Sequence, residues 1–176
     1  PTVNAGSDLP LLVGSSVQLT IQNSADVTSW LWTPATDLSC SSCANPISTP
    51  NATTDYTITV TNNSNCSAAD NITIFVTCDN SSIFLPNAFT PNKDGLNDYF
   101  YPTSRAVDKI LSFKIFNRFG DLVFLNENFK ANDQNAGWDG IYKGKPAVVG
   151  AYIYYIQVAC KNGEVINLGG KILLLR

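Results

Sequence analysis

Oxygen donors crowd one glycine near the middle of this 176-residue chain: Asn92, Asp94, Asn97 and Asp98 surround Gly95. Hard carboxylate and amide oxygens gathered at a turn are the chemistry of calcium. With Gly95 at the sixth position of an EF-hand loop, Thr90 falls first, Asn92 third, Asp94 fifth, Asp98 ninth and Tyr101 twelfth. That register lacks the opening acid and the closing bidentate glutamate. The competing reading is a set of Asx turns, whose side-chain oxygens accept backbone N–H groups.

Sulfur is the second candidate chemistry. Five cysteines in a chain poor in charge indicate an oxidising compartment. Cys40, Cys43, Cys66 and Cys78 superficially resemble a zinc site, but eleven residues separate the second pair, where two to four are usual. Disulfides are the stronger expectation: Cys78 with Cys160 and Cys40 with Cys43, leaving Cys66 free or competing for one of the latter.

Catalysis is argued against by what the chain lacks. It has no histidine, which removes Ser-His-Asp and Cys-His sites and histidine-ligated metals. Glutamate occurs only at Glu127 and Glu164, and the aspartates lie mostly on turn-like segments. No glycine-rich phosphate loop is present. A net charge of −3 without a basic stripe disfavours nucleic acid. Trp138 with Tyr152, Tyr154 and Tyr155 could form a carbohydrate platform, although aromatic residues of this kind more commonly fill a core or a sheet face.

The elements that must position these groups fall into two halves. Residues 1–92 hold no lysine or arginine, and all eleven basic residues follow from Lys93 onward. Residues 1–77 carry net −5 and residues 78–176 net +2, which predicts two domains with that boundary. In the first, Val17, Leu19 and Ile21, then Trp30 and Trp32, then Tyr56, Ile58 and Val60, then Ile72, Ile74 and Val76 alternate with polar residues. Period two marks half-buried strands, here of an immunoglobulin-like sandwich without the usual inter-sheet disulfide. The longest apolar run, Ala147 to Ile156, is interrupted by Gly150 and falls short of the roughly 20 residues a spanning helix needs. Beginning at Pro1 without methionine, the chain reads as a piece of a longer or processed protein.

The second half continues in β. A strand over 111–116, a turn at 117–121 and a return strand over 122–125 predict a hairpin. Residues 142–146 predict another turn. The apolar Ala151 to Val158 predicts a central strand covered on both faces, and the chain closes on the strand 171–176.

Taken in order, Pro86-Asn87-Ala88-Phe89-Thr90-Pro91-Asn92, Asp94-Gly95-Leu96-Asn97-Asp98, Ile115-Phe116-Asn117-Arg118-Phe119-Gly120, Gly137-Trp138-Asp139-Gly140, Gly144-Lys145 and Gly150-Ala151-Tyr152-Ile153-Tyr154 resemble the gliding-motility-associated C-terminal domain. This family is the type B sorting domain of the type IX secretion system in Bacteroidetes. The first half is similar to the PKD-like or Ig-like repeats that precede it, through residues 33–43 and 54–60. The family usually has glycine where Lys93 stands and tryptophan where Phe119 stands, so the loop around Lys93 is expected to differ in shape.

The resemblance implies two tandem all-β antiparallel sandwiches of a secreted, adhesin-like surface protein. The last domain would be the signal for export across the outer membrane and attachment at the surface. Its partners would be the type IX translocon and an outer-membrane protein. A signal of this size is read as a folded surface, so recognition would rest on turns and edges. The candidate recognition or structural turn residues are Pro86, Asn87, Phe89, Pro91, Asn92, Asp94, Gly95, Asn97, Asp98, Arg118, Gly120, Trp138, Asp139 and Gly140. For Arg118 and Asp139 the competing expectation is a salt bridge bracing two turns. The alternative function is a calcium-assisted adhesive or carbohydrate-binding sandwich, with cell-surface polysaccharide as partner.

Overall fold

Alternating β-branched and polar residues put one face of each long strand into an apolar core and leave the other wet. In the computed structural model, which describes residues Pro1–Arg176, this happens twice, in the units Pro1–Thr77 and Cys78–Arg176. The chain is all-β and forms two tandem immunoglobulin-like sandwich units. No helix is long and apolar enough to cross a membrane.

The first unit contains β1 (Val3–Asn4), β2 (Leu9–Leu12), β3 (Val17–Gln18), β4 (Gln22–Asn23), β5 (Val27–Thr33), β6 (Ile47–Ser48), β7 (Thr54–Asn62) and β8 (Ser67–Thr77). Its main sheet runs β2-β8-β7-β5, antiparallel except for the parallel β2–β8 edge. Two short ladders, β3–β6 and β1–β4, complete it. Trp32, Tyr56, Ile58, Val60, Ile72 and Ile74 fill the core with Leu19. Leu19 and Ile21 are buried as their alternation predicts, yet the strand breaks between Gln18 and Gln22. The Ile21 N–H is taken by the Asn45 side chain at 3.1 Å, so the ladder cannot run through. The Trp32 indole donates to the Cys43 carbonyl at 3.0 Å, tying the Cys40–Cys43 disulfide loop to the core.

The second unit contains β9 (Ala88–Phe89), β10 (Val107–Phe116), β11 (Leu122–Phe129), β12 (Ile141–Tyr142), β13 (Lys145–Pro146), β14 (Gly150–Cys160) and β15 (Val165–Leu174). The first two and last two long strands form one sheet in the order β11-β10-β14-β15-β9, with β9 joining parallel to β15. The β12–β13 hairpin stands apart. Phe89, Phe100, Phe113, Trp138, Ile110, Ile115, Ile156 and Ile172 are buried together on one side of that sheet.

Strand β14 corrects one expectation. It is central, but its burial alternates: Tyr152, Ile156, Val158 and Cys160 are buried, whereas Ile153 is 44% and Tyr155 58% exposed. The apolar run reflects strand propensity and cross-strand pairing, not two covering layers. Tyr155 and Tyr154 pair with Gly169 and Gly170, and each ring lies across its glycine. A Cβ on Gly169 would stand 3.2 Å from the Tyr155 ring, and one on Gly170 would stand 2.5 Å from the Tyr154 hydroxyl.

Candidate recognition surface

The oxygen-rich loop is held by its own backbone. Lys93, Gly95 and Asn97 all take positive φ, 67°, 89° and 53°. This alternation turns successive N–H groups inward, a nest for an anion. The anion is internal: Asp98 accepts from Lys93 N–H at 2.6 Å and from Gly95 N–H at 2.8 Å, one on each carboxylate oxygen. Asp94 accepts from Leu96 N–H at 2.8 Å and from the Asn92 amide at 2.9 Å, and Asn92 accepts from Asp94 N–H. The Leu96 N–H, then the Asn92 amide, hold the Asp94 carboxyl below its ordinary value. The geometry is that of Asx turns, in which side-chain oxygens of Asn92, Asp94 and Asp98 accept backbone N–H groups of the loop, and no group of three or more acidic or cysteine side chains is placed to hold a metal. Lys93 adopts the left-handed conformation that a glycine takes without strain.

Either side of that loop is anchored. Leu173 N–H donates to Asn87 C=O and Leu175 N–H to Phe89 C=O, both at 3.0 Å. Phe89 and Phe100 are buried with ring centroids 5.9 Å apart. Pro86, Leu96, Asp98 and Tyr99 border a shallow hollow of about 240 Å³.

Trp138 is 0% exposed, 5.3 Å from the Phe89 ring and edge-on to Tyr152 at 4.9 Å. Its indole donates to Ile141 C=O at 3.0 Å, and it exchanges both backbone hydrogen bonds with Phe100. A ring without an exposed face cannot stack on a sugar, so Trp138 is a core plug and adds nothing to the expected carbohydrate platform; of its tyrosines Tyr152 is buried, Tyr154 half-buried and Tyr155 exposed. The flanking glycines let the plug seat. A Cβ on Gly137 would meet Tyr101 Cβ at 2.7 Å, and one on Gly140 would meet Pro91 Cγ at 2.6 Å.

The Arg118 turn is built by Asn117, whose side-chain oxygen accepts from Phe119 and Asp121 N–H at 2.9 Å each. Gly120 supplies φ of 87°. The expected Arg118–Asp139 salt bridge is absent. Asp139 instead accepts from Ile141 N–H at 3.0 Å, and the Arg118 guanidinium lies 4.9 Å above the Phe119 ring. A local Asx turn satisfies the acid and a neighbouring ring holds the cation.

Beside this turn lies a groove of about 370 Å³, bounded by residues 117–119, the β12–β13 hairpin and the approach to β14. Its lining is aliphatic and aromatic, through Val123, Pro146, Val148, Val149 and Tyr152, with Arg118, Lys143 and Lys145 as its charged groups and no acid. Phe119 is 77% and Val148 73% exposed. Burial pushes the Tyr152 phenol up, against the pull of Arg176 and Arg118, and its hydroxyl donates to Val148 C=O at 2.7 Å. Lys143, Lys145, Val148 and Val149 were absent from the sequence candidates. The two valines between Pro146 and Gly150 fall inside the apolar run Ala147 to Ile156, and only their exposure marks them.

Disulfides join Cys40 to Cys43 and Cys78 to Cys160, and Cys66 is free and exposed. Glu164 caps the second bridge by accepting from Cys78 N–H at 2.8 Å. The Asn162 amide, then that N–H, hold its carboxyl below the ordinary value.

Residues 83–170 match the family described as CHU_C Type IX secretion signal domain. Solved structures similar to the chain include dimeric latent PorU from Porphyromonas gingivalis, at 16% identity and a TM-score of 0.36, covering 97% of this chain and 19% of that one. The fibronectin(III)-like modules of Clostridium thermocellum CbhA give 10% identity, a TM-score of 0.36 and coverage of 99% and 92%. No curated protein matches the chain.

Proposed function

We propose, from the premise that the chain belongs to the type IX secretion signal domain family, that Cys78–Arg176 is a folded sorting signal carrying a larger protein across the outer membrane to the cell surface. The match over residues 83–170 carries this reading. The structure supports it physically, because the matched motifs converge on one packed unit. Its oxygen-rich loop, buried tryptophan and terminal strand hold one another, so what a receptor reads is a shape assembled from distant residues.

In this proposal the first unit, net −5 and without a cation, is a PKD-like spacer of an adhesin-like parent. The partners are the secretion translocon and an outer-membrane protein. Neither unit acts as a catalyst. The expected outcome of fusing residues 78–176 to a foreign reporter is its appearance on the surface of a type IX-competent cell. Retention of the reporter in the periplasm, with the fusion folded, would sink the proposal.

A further inference from the structure

We infer that the groove beside the Arg118 turn docks an extended peptide segment of a partner protein, one carrying aliphatic side chains next to carboxylates. The inference deepens the sorting reading and rests on it for the partner's role. Three observations support it. The groove, about 370 Å³, lies at the small end of ligand sites and suits two or three aliphatic side chains. Of its apolar residues Val123, Ala147 and Tyr152 are buried, while Phe119, Val148 and Val149 are exposed. Such residues mark contact surfaces when they cluster at a polar rim.

Charge selects the partner. Arg118, Lys143 and Lys145 border the groove, no acid lines it, and none of the three has a carboxylate partner. Arg118 lies over Phe119 and Lys143 lies 5.0 Å over the Tyr142 ring. A cation held on an aromatic face is positioned without being neutralised, so it remains able to take a carboxylate. The complement is therefore acidic as well as aliphatic. An anionic glycan fits less well, since sugars stack on free ring faces and here the Phe119 and Tyr142 rings already carry Arg118 and Lys143.

The full chain is titrated against a fluorescent hexapeptide of alternating valine or leucine and aspartate or glutamate, with a lysine-substituted hexapeptide as control. Saturable binding of the acidic peptide alone is expected. Reversal of Arg118, Lys143 and Lys145 to glutamate, or Val148→Asp, should weaken it at least about tenfold with the melting temperature unchanged. No saturable binding, equal binding of the lysine peptide, or indifference to these variants overturns the inference. So does binding of polygalacturonate that the peptide cannot displace. In cells, a reporter fused to the full chain should be exported with the wild-type groove and retained with the reversed one. Equal export of both ends the groove inference and leaves the sorting reading standing. Failure of the wild-type fusion ends the sorting reading, and the peptide titration then decides the groove alone.

Discussion

At the residue scale, the oxygen-rich loop solves its electrostatics internally, and Lys93 is its weak point. Lysine at φ of 67° bears the steric cost of a left-handed conformation, about 1 kcal/mol or more, which glycine avoids. Lys93→Gly should stabilise the second unit by a net 0.5 kcal/mol or about that, after the greater freedom of glycine in the unfolded chain is subtracted. A lowered midpoint in urea would contradict this. In the first unit, hydrogen bonds from Ser24 and Asn62 lower Asp26 from 3.8 to about 2. A depressed carboxyl contributes stability above its unfolded value and loses it as pH falls through the folded one. The first unit should therefore weaken between about pH 4 and 2. Asp26→Asn should flatten that part of the melting profile, and parallel profiles would refute the assignment.

At the scale of elements, the Gly137–Gly140 segment determines whether the loop and the sheet share one core. Gly137→Ala would drive a Cβ to 2.8 Å from Phe100 C=O and break the Phe100–Trp138 bridge. The expected loss is about 3 kcal/mol, with Trp138 fluorescence shifting red as the ring meets water. An unchanged melting temperature and emission would refute it. The alternation at Tyr56, Ile58 and Val60 could be read from sequence because one covered face gives period two. The single-sided burial of β14 could not, since an apolar residue pairing across a sheet looks the same in sequence as one packed beneath it. The Asn117 turn announces itself through Asn, Gly and Asp. The groove beside it does not, because it forms only where two separate stretches, 117–123 and 142–152, are folded against each other. The Arg118–Asp139 pairing was chemically reasonable and failed because each group found a nearer partner.

For the molecule as a whole, the two disulfides act on very different lengths of chain. The bridge at Cys78 closes a separation of 82 residues, the one at Cys40 a separation of three. On the chain-entropy account these are worth about 4.5 and 1.5 kcal/mol. Reduction should lower the melting of the second unit far more than that of the first, as followed by calorimetry with and without reductant. Equal shifts would show that the long bridge gains less than its span implies. The segregation of charge, with every cation beyond residue 92, gives the units opposite net signs. Salt therefore acts differently on the acidic unit and on the cation-bordered groove.

The tyrosines laid across Gly169 and Gly170 work as a key and its slot. Slide β15 by two residues either way, and Tyr155 faces Lys171 or Asn167 while Tyr154 faces Ile172 or Leu168. Each of these carries a Cβ where a ring must lie. Only one alignment of the strand is admitted, and β9 inherits it through the pairing of Ala88 with Leu173. The entry to the oxygen-rich loop is thus indexed from eighty residues further along the chain.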